Sequence, residues 1–141
     1  MSVWHSACFL FLMPKFINPD NIPPPFANYS HAVEIPAKSR ILFCSGQLSV
    51  SLNEPIPEGA EGQTELIFEN IKAVLRDANM TIANIIRINT YVTSREHLKP
   101  FMKIRDSLFK APAPASTLII VSGFSREEFL VEIEVVAAAT D

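Results

Sequence analysis

A chain of 141 residues, 48% hydrophobic and 19% charged, has the size and make-up of a single globular domain that buries a core of its own. Twelve Lys and Arg stand against fifteen Asp and Glu, and the net charge of −3 argues against a nucleic-acid-binding face, which carries a basic excess. Cys8 and Cys44 lie far apart, the three histidines are scattered, and four glycines leave no phosphate-cradling loop, so neither a metal site nor a cofactor is expected. The densest basic content, Lys99, Lys103, Arg105 and Lys110, falls on one predicted helix and reads as a solvated face.

Residues 1–12 (MSVWHSACFLFL) have no Lys or Arg before a short apolar run, and Pro14 follows at once. That is a poor secretory signal and too short to span a membrane, so a cytoplasmic protein without a membrane partner is expected, with Met13 as its natural start. Residues 14–28 hold Pro19, Pro23, Pro24 and Pro25 and read as an extended arm without regular structure. The expected division is an extension and arm over 1–28 and one domain over 29–141. Residues 29–35 and 41–48 read as two strands joined by a turn at 36–40, an N-terminal hairpin. Gly46 inside the second strand marks a bulge or a close approach by a ligand, the bulge being favoured; Ser45 and Gln47 beside it would supply such a ligand with polar groups.

After a loop at 51–59, residues 60–78 predict a helix with an apolar stripe of Leu66, Ile67, Ile71, Val74 and Leu75. Asn79 fits a left-handed stop. Residues 85–93 alternate as a strand, Ile86, Ile88, Thr90 and Val92 opposite Ile85, Arg87, Asn89 and Tyr91. A second helix is predicted over 95–109, with Leu98, Phe101, Met102, Leu108 and Phe109 inward and Pro100 in its first turn. A strand at 116–121, a turn at Ser122-Gly123 and a closing strand at 129–137 complete the chain. The closing strand sets Phe129, Val131, Ile133 and Val135 against Leu130, Glu132, Glu134 and Val136. Two carboxylates on a β-branched strand mark either a solvated outer face or an interface with Glu132 or Glu134 on a cleft, since burying an unpaired charge is costly. The element order predicts an α+β two-layer sandwich, two helices on one face of a mixed sheet. Its mixed second face suits an oligomer contact.

Several segments together carry a family resemblance. Tyr29-Ser30-His31-Ala32-Val33, Phe43-Cys44-Ser45-Gly46-Gln47, Asn70-Ile71-Lys72-Ala73-Val74-Leu75, Ala115-Ser116-Thr117 and Val131-Glu132-Ile133-Glu134 resemble, in order and spacing, the RidA/YjgF family, also called the endoribonuclease L-PSP family. The resemblance spans about 29–138. It implies a chorismate-mutase-like fold and a homotrimer with a central barrel and three clefts between subunits. It also implies hydrolysis of imine and enamine metabolites such as 2-aminoacrylate, with an arginine gripping the substrate carboxylate. At that arginine's position this chain has Ala115, whose methyl anchors no anion; a charged hydrogen bond contributes about 1.5–3 kcal/mol. Met102 stands where many relatives carry an asparagine.

By the same resemblance, Tyr29, Ser45, Gly46, Gln47, Ala115, Ser116 and Thr117 fall at the ligand cleft. Glu132 falls at the position that handles a water, or serves only an intersubunit hydrogen bond. Two readings follow: an imine or enamine hydrolase of altered specificity, with Arg87 or Arg105 as candidate replacement cations, or a non-catalytic metabolite-binding trimer. RNA cleavage, suggested by the family's other name, fits poorly with net charge −3 and no paired histidines.

Overall fold

The computed structural model describes residues 12–141, so the expectation of a start at Met13 concerns residues that lie almost wholly outside it. Along the chain come β1 (Lys15–Ile17), β2 (Ala32–Glu34), β3 (Arg40–Gln47), α1 (Ala60–Asp77), β4 (Ile85–Val92), α2 (Leu98–Leu108), β5 (Ala115–Ile120) and β6 (Val131–Ala139). Short 3-10 turns at Ile82–Asn84 and Arg95–His97 lead into β4 and α2. The main sheet has four strands in the order β3-β6-β4-β5, with β4 and β5 parallel and the other pairs antiparallel. This is the expected α+β architecture, two helices packed on one face of a mixed sheet.

Period-two alternation sets the two faces. β6 buries Val131, Ile133, Val135 and Ala137 and turns Glu132, Glu134 and Val136 outward. β4 buries Ile88, Thr90 and Val92 in the same sense. Against these pack Ile67, Phe68, Ile71 and Leu75 of α1 and Phe101 and Ile104 of α2, each large apolar side chain contributing about 1.5–3 kcal/mol by leaving water. The end of α1 follows the expected stop. Asn79 takes φ 54°, its N–H donates to Arg76 O at 3.0 Å, and Met80 N–H donates to Leu75 O at 2.8 Å. These two bonds make a Schellman closure, with Met80 buried behind Leu75.

Four expectations need correction. The N-terminal hairpin does not form: β2 pairs with β1, Phe16 opposite Val33, while β3 pairs with β6. The arm is therefore not structureless, because Lys15-Phe16-Ile17 precedes its first internal proline and is free to complete a two-stranded ribbon. β5 and β6, consecutive in the chain, do not pair with each other. The α2 crossover delivers β5 parallel to one side of β4, which leaves β6 the other side. In α2, Leu98, Met102 and Leu108 pack against the core as expected, half-buried at its edge, but Arg105 is buried instead of facing solvent. Its guanidinium lies over the Phe101 ring at 5.7 Å and pairs with Asp106 at 2.9 Å, which lets a long stem join the core. In β4, a register shift between Ile85 and Arg87 buries Ile85 and leaves Ile86 half-buried, the reverse of strict alternation.

One buried polar side chain ties the loops at the helix-bearing end. Gln63, wholly buried in α1, donates to Pro57 O at 2.8 Å and to Glu128 O at 2.7 Å and accepts from Leu130 N–H at 2.8 Å. It joins the 51–59 loop to the segment that starts β6.

Candidate functional site

The face of the sheet turned away from the helices carries the polar chemistry. Glu134 Oε1 accepts from Asn89 Nδ2 and from the Tyr91 hydroxyl, both at 3.0 Å, because the antiparallel register sets Asn89 opposite Glu134 and Tyr91 opposite Glu132. The bond to Glu134 raises the Tyr91 pKa, and the amide's other end, Asn89 Oδ1, is buried without a partner. Glu132 lies on the same face without a side-chain hydrogen bond among the described residues. Burial, and secondarily the charge of Glu134, raises its carboxyl above the ordinary carboxylate range.

Gly46 explains how Glu132 is seated. A Cβ there would overlap the Glu132 carboxylate, whose Cδ lies 2.8 Å from that position. The pairing of β3 with β6 also shifts register between Cys44 and Gln47. The favoured expectation, a bulge, is met, and the absent side chain also makes room for a carboxylate of the same chain. Ser45 is exposed beside it, and Gln47 Nε2 donates to Ser45 O at 3.1 Å.

The remaining candidate residues gather around the start of β5, Ala115 and Thr117 on this face and Ser116, opposite the buried Ile88, on the helix side. Ser30 N–H donates to Pro114 O at 3.1 Å and Ser30 Oγ to Ala113 O at 2.6 Å, so the segment bearing Tyr29 is fastened to the loop before β5. Tyr29 packs edge-on against Phe26 and His31, with ring centres 5.7 and 5.9 Å apart. Ala115 is buried, Ser116 half-buried and Thr117 exposed. Arg87, across from Ala115 in β4, donates from Nη2 to Thr117 Oγ1 at 3.0 Å. This contact was not singled out from the sequence, although period-two alternation had put Arg87 on the outer face.

These two groups do not meet within one chain. Glu132 is level with Tyr91, whereas Ala115 is level with Arg87, four residues back along β4 and so about 13 Å away along the strand. The seam between them is flanked by apolar side chains: Phe43 on β3 is 77% exposed and Ile119 on β5 is 46% exposed. A separate groove lies between the loop at 54–58 and Arg126, Glu128 and Leu130, bridged by an Arg126–Glu128 ion pair at 2.6 Å, and touches neither group. Among the described residues no three His, Cys, Asp or Glu side chains cluster to hold a metal, and no helix is long and apolar enough to cross a membrane.

The architecture has many counterparts. A family model described as Endoribonuclease L-PSP matches residues 20–139. A RutC family protein of Saccharolobus solfataricus is 31% identical over 127 residues, covering 89% of this chain and 98% of that one. A RutC family protein of Aquifex aeolicus is 32% identical over 118 residues, covering 82% and 91%. Among solved structures, the Rid family protein YyfB of Yersinia pestis superposes with a TM-score of 0.76 at 33% identity, covering 88% of this chain and 97% of that one. RidA of an Antarctic Psychrobacter follows with a TM-score of 0.65 at 26% identity, covering 87% and 98%. With the family match running through both helices and every strand of the main sheet, and with relatives above 30% identity over most of either chain, this protein belongs to the endoribonuclease L-PSP family.

Proposed function

We propose that this protein is a homotrimer that binds a small metabolite in clefts between subunits and hydrolyses its imine or enamine. Each cleft joins the Glu132 and Gly46 group of one subunit to the Tyr29, Ala115, Ser116 and Thr117 group of the next. The observation that carries this reading is the seating of Glu132: a carboxylate on a rigid strand, in the space left by a glycine, with a raised pKa and no competing side-chain hydrogen bond among the described residues. A carboxyl group held above the ordinary range in this way suits proton transfer. The separation of the two groups and the apolar flanks supply the argument for assembly, because one subunit alone closes no site around Glu132.

In the proposed reaction an enamine first takes a proton from water on carbon to give its iminium ion. A water molecule then adds through oxygen to the iminium carbon as the Glu132 carboxylate takes one of its protons, forming a neutral carbinolamine. The Glu132 carboxylic acid passes that proton to nitrogen, the C–N bond breaks as the C=O bond forms, the hydroxyl proton returns to solvent, and ammonia leaves behind the carbonyl compound. The test is ammonia release from imines generated in situ by an amino-acid oxidase. Glu132→Gln should lower the rate by about a hundredfold or more without altering the assembly measured by light scattering. Unchanged release in that variant would sink the mechanism.

A second reading, a non-catalytic metabolite-binding trimer, is favoured by one observation: Ala115 offers only a methyl where the family resemblance leads one to look for an arginine. A ligand that raises the melting temperature and is recovered unchanged would support it. A cytoplasmic location belongs to the proposal too, and cell fractionation tests it, since relatives include a yeast protein described as mitochondrial.

A further inference from the structure

We infer that the apolar groove beside the β1–β2 ribbon is a second ligand site, one that takes the free anion of a straight-chain fatty acid of medium length. Phe16 on β1, Ile82 and Ile85 at the entry to β4, and Leu108 and Phe109 at the end of α2 line it. Its volume is about 350 Å³, at the small end of the ~300–1,000 Å³ that small-ligand clefts span. One wall belongs to a ribbon of two three-residue strands, a sheet separate from the main one and held by few hydrogen bonds, so that wall is able to adjust to a guest. The groove shares no residue with the Glu132 group, the Tyr29 group or the groove at 54–58, and the inference therefore stands apart from the function proposed above.

The backbone around the groove says what the guest must lack. Pro112 and Pro114, which also line it, have no N–H to donate. Pro114 O already accepts from Ser30 N–H at 3.1 Å, and Phe109 O from Asn28 Nδ2 at 2.6 Å. Phe109 N–H donates to Arg105 O and Ile85 N–H to Ile82 O. A peptide laid here would bury amides with few partners left for them, whereas a hydrocarbon chain has no polar group to satisfy. The one charge among the lining residues says what the guest must carry. Lys110 is exposed and in no ion pair among the described residues. An unpaired surface lysine is ordinary; this one stands where an oily groove meets water, in a chain of net charge −3. Its methylene stem extends the apolar lining while its ammonium stays hydrated, which matches a ligand with an apolar body and an anionic end. No carboxylate lines this groove to repel that end, whereas Glu54, Glu58 and Glu128 all line the other one.

The experiment is calorimetric titration of the full-length protein with hexanoate, octanoate and decanoate, each below its micelle concentration, and with 1-octanol as the neutral probe. Each pair of added methylenes should tighten binding about tenfold. Octanoate should bind about fivefold more tightly than 1-octanol, and Lys110→Gln should erase that difference without changing the alcohol. Ala83 lines the groove at an exposed position, so Ala83→Phe should weaken all three acids at least tenfold and leave the melting temperature of the free protein unchanged. Absence of binding, binding indifferent to chain length, or binding that Ala83→Phe leaves intact overturns the site. Octanoate no tighter than 1-octanol, or a preference that survives Lys110→Gln, overturns the anionic ligand. Light scattering read with and without decanoate adds one more outcome: a mass that falls on titration shows that a second copy of the chain fills the groove, and the inference fails. Each of these results leaves the Glu132 cleft untouched, because imine hydrolysis reads that site separately.

Discussion

Glu132 and Gly46 form a pair in which each residue accounts for the other. Adding a methyl in Gly46→Ala would push into the carboxylate rather than into backbone, and a glutamate side chain is able to swing aside. The expected cost in stability is therefore modest, about 1 kcal/mol by thermal or urea unfolding, while imine hydrolysis falls at least tenfold because the acid has left its seat. A loss of stability without loss of activity would contradict this pairing. The raised pKa of Glu132 has a signed consequence as well. The folded state holds its proton to higher pH than the unfolded chain does, so the stabilisation is complete below the unfolded pKa and disappears as pH rises through the folded value. Glu132→Gln, which has no proton to lose, should flatten the fall in melting temperature across that window. The same shift places the acidic limb of the wild-type rate profile above the ordinary carboxylate range.

At the scale of elements, Gln63 shows how one side chain in a helix sets the start of a distant strand. It satisfies its donor and acceptor atoms on Pro57, Glu128 and Leu130, so Gln63→Leu would leave buried backbone groups of two loops unpaired. The expected loss is about 2–4 kcal/mol by urea unfolding, with hydrogen exchange rising first at the Leu130 amide. Stripes and alternation made the elements themselves readable from the sequence: the α1 stripe, the inward Ile133 and Val135, and the left-handed Asn79 all stand where the residue pattern puts them. Pairing was harder to read. A three-residue strand such as Ala32–Glu34 carries too little pattern to name its partner, and nothing local tells β5 that β4 rather than β6 is its neighbour. That follows only from the parallel crossover through α2. Arg105 escaped for a related reason, since helix periodicity assigns charge to solvent and does not anticipate an aromatic ring and an adjacent aspartate.

For the molecule as a whole, the outer face of the sheet is where the proposed assembly can be tested. Phe43 and Ile119 are too exposed to serve this chain's own core, and they flank the seam that holds Glu132 and Glu134. Phe43→Asp should therefore shift the light-scattering mass toward a single chain and abolish hydrolysis, yet leave the far-ultraviolet circular dichroism of the fold intact. An unchanged oligomer in that variant would count against the trimer. The candidate residues were individually legible through their resemblance to a family, but their division into two groups about 13 Å apart along the strands was not, because distance along a sheet depends on register. That division bears on how defects combine. A protein crippled at Glu132 and another crippled at Thr117 each keep the half that the other has lost. Unfolded together and reassembled from an equal mixture, the two inactive preparations should regain on the order of a quarter of the wild-type clefts, whereas either one refolded alone should regain none.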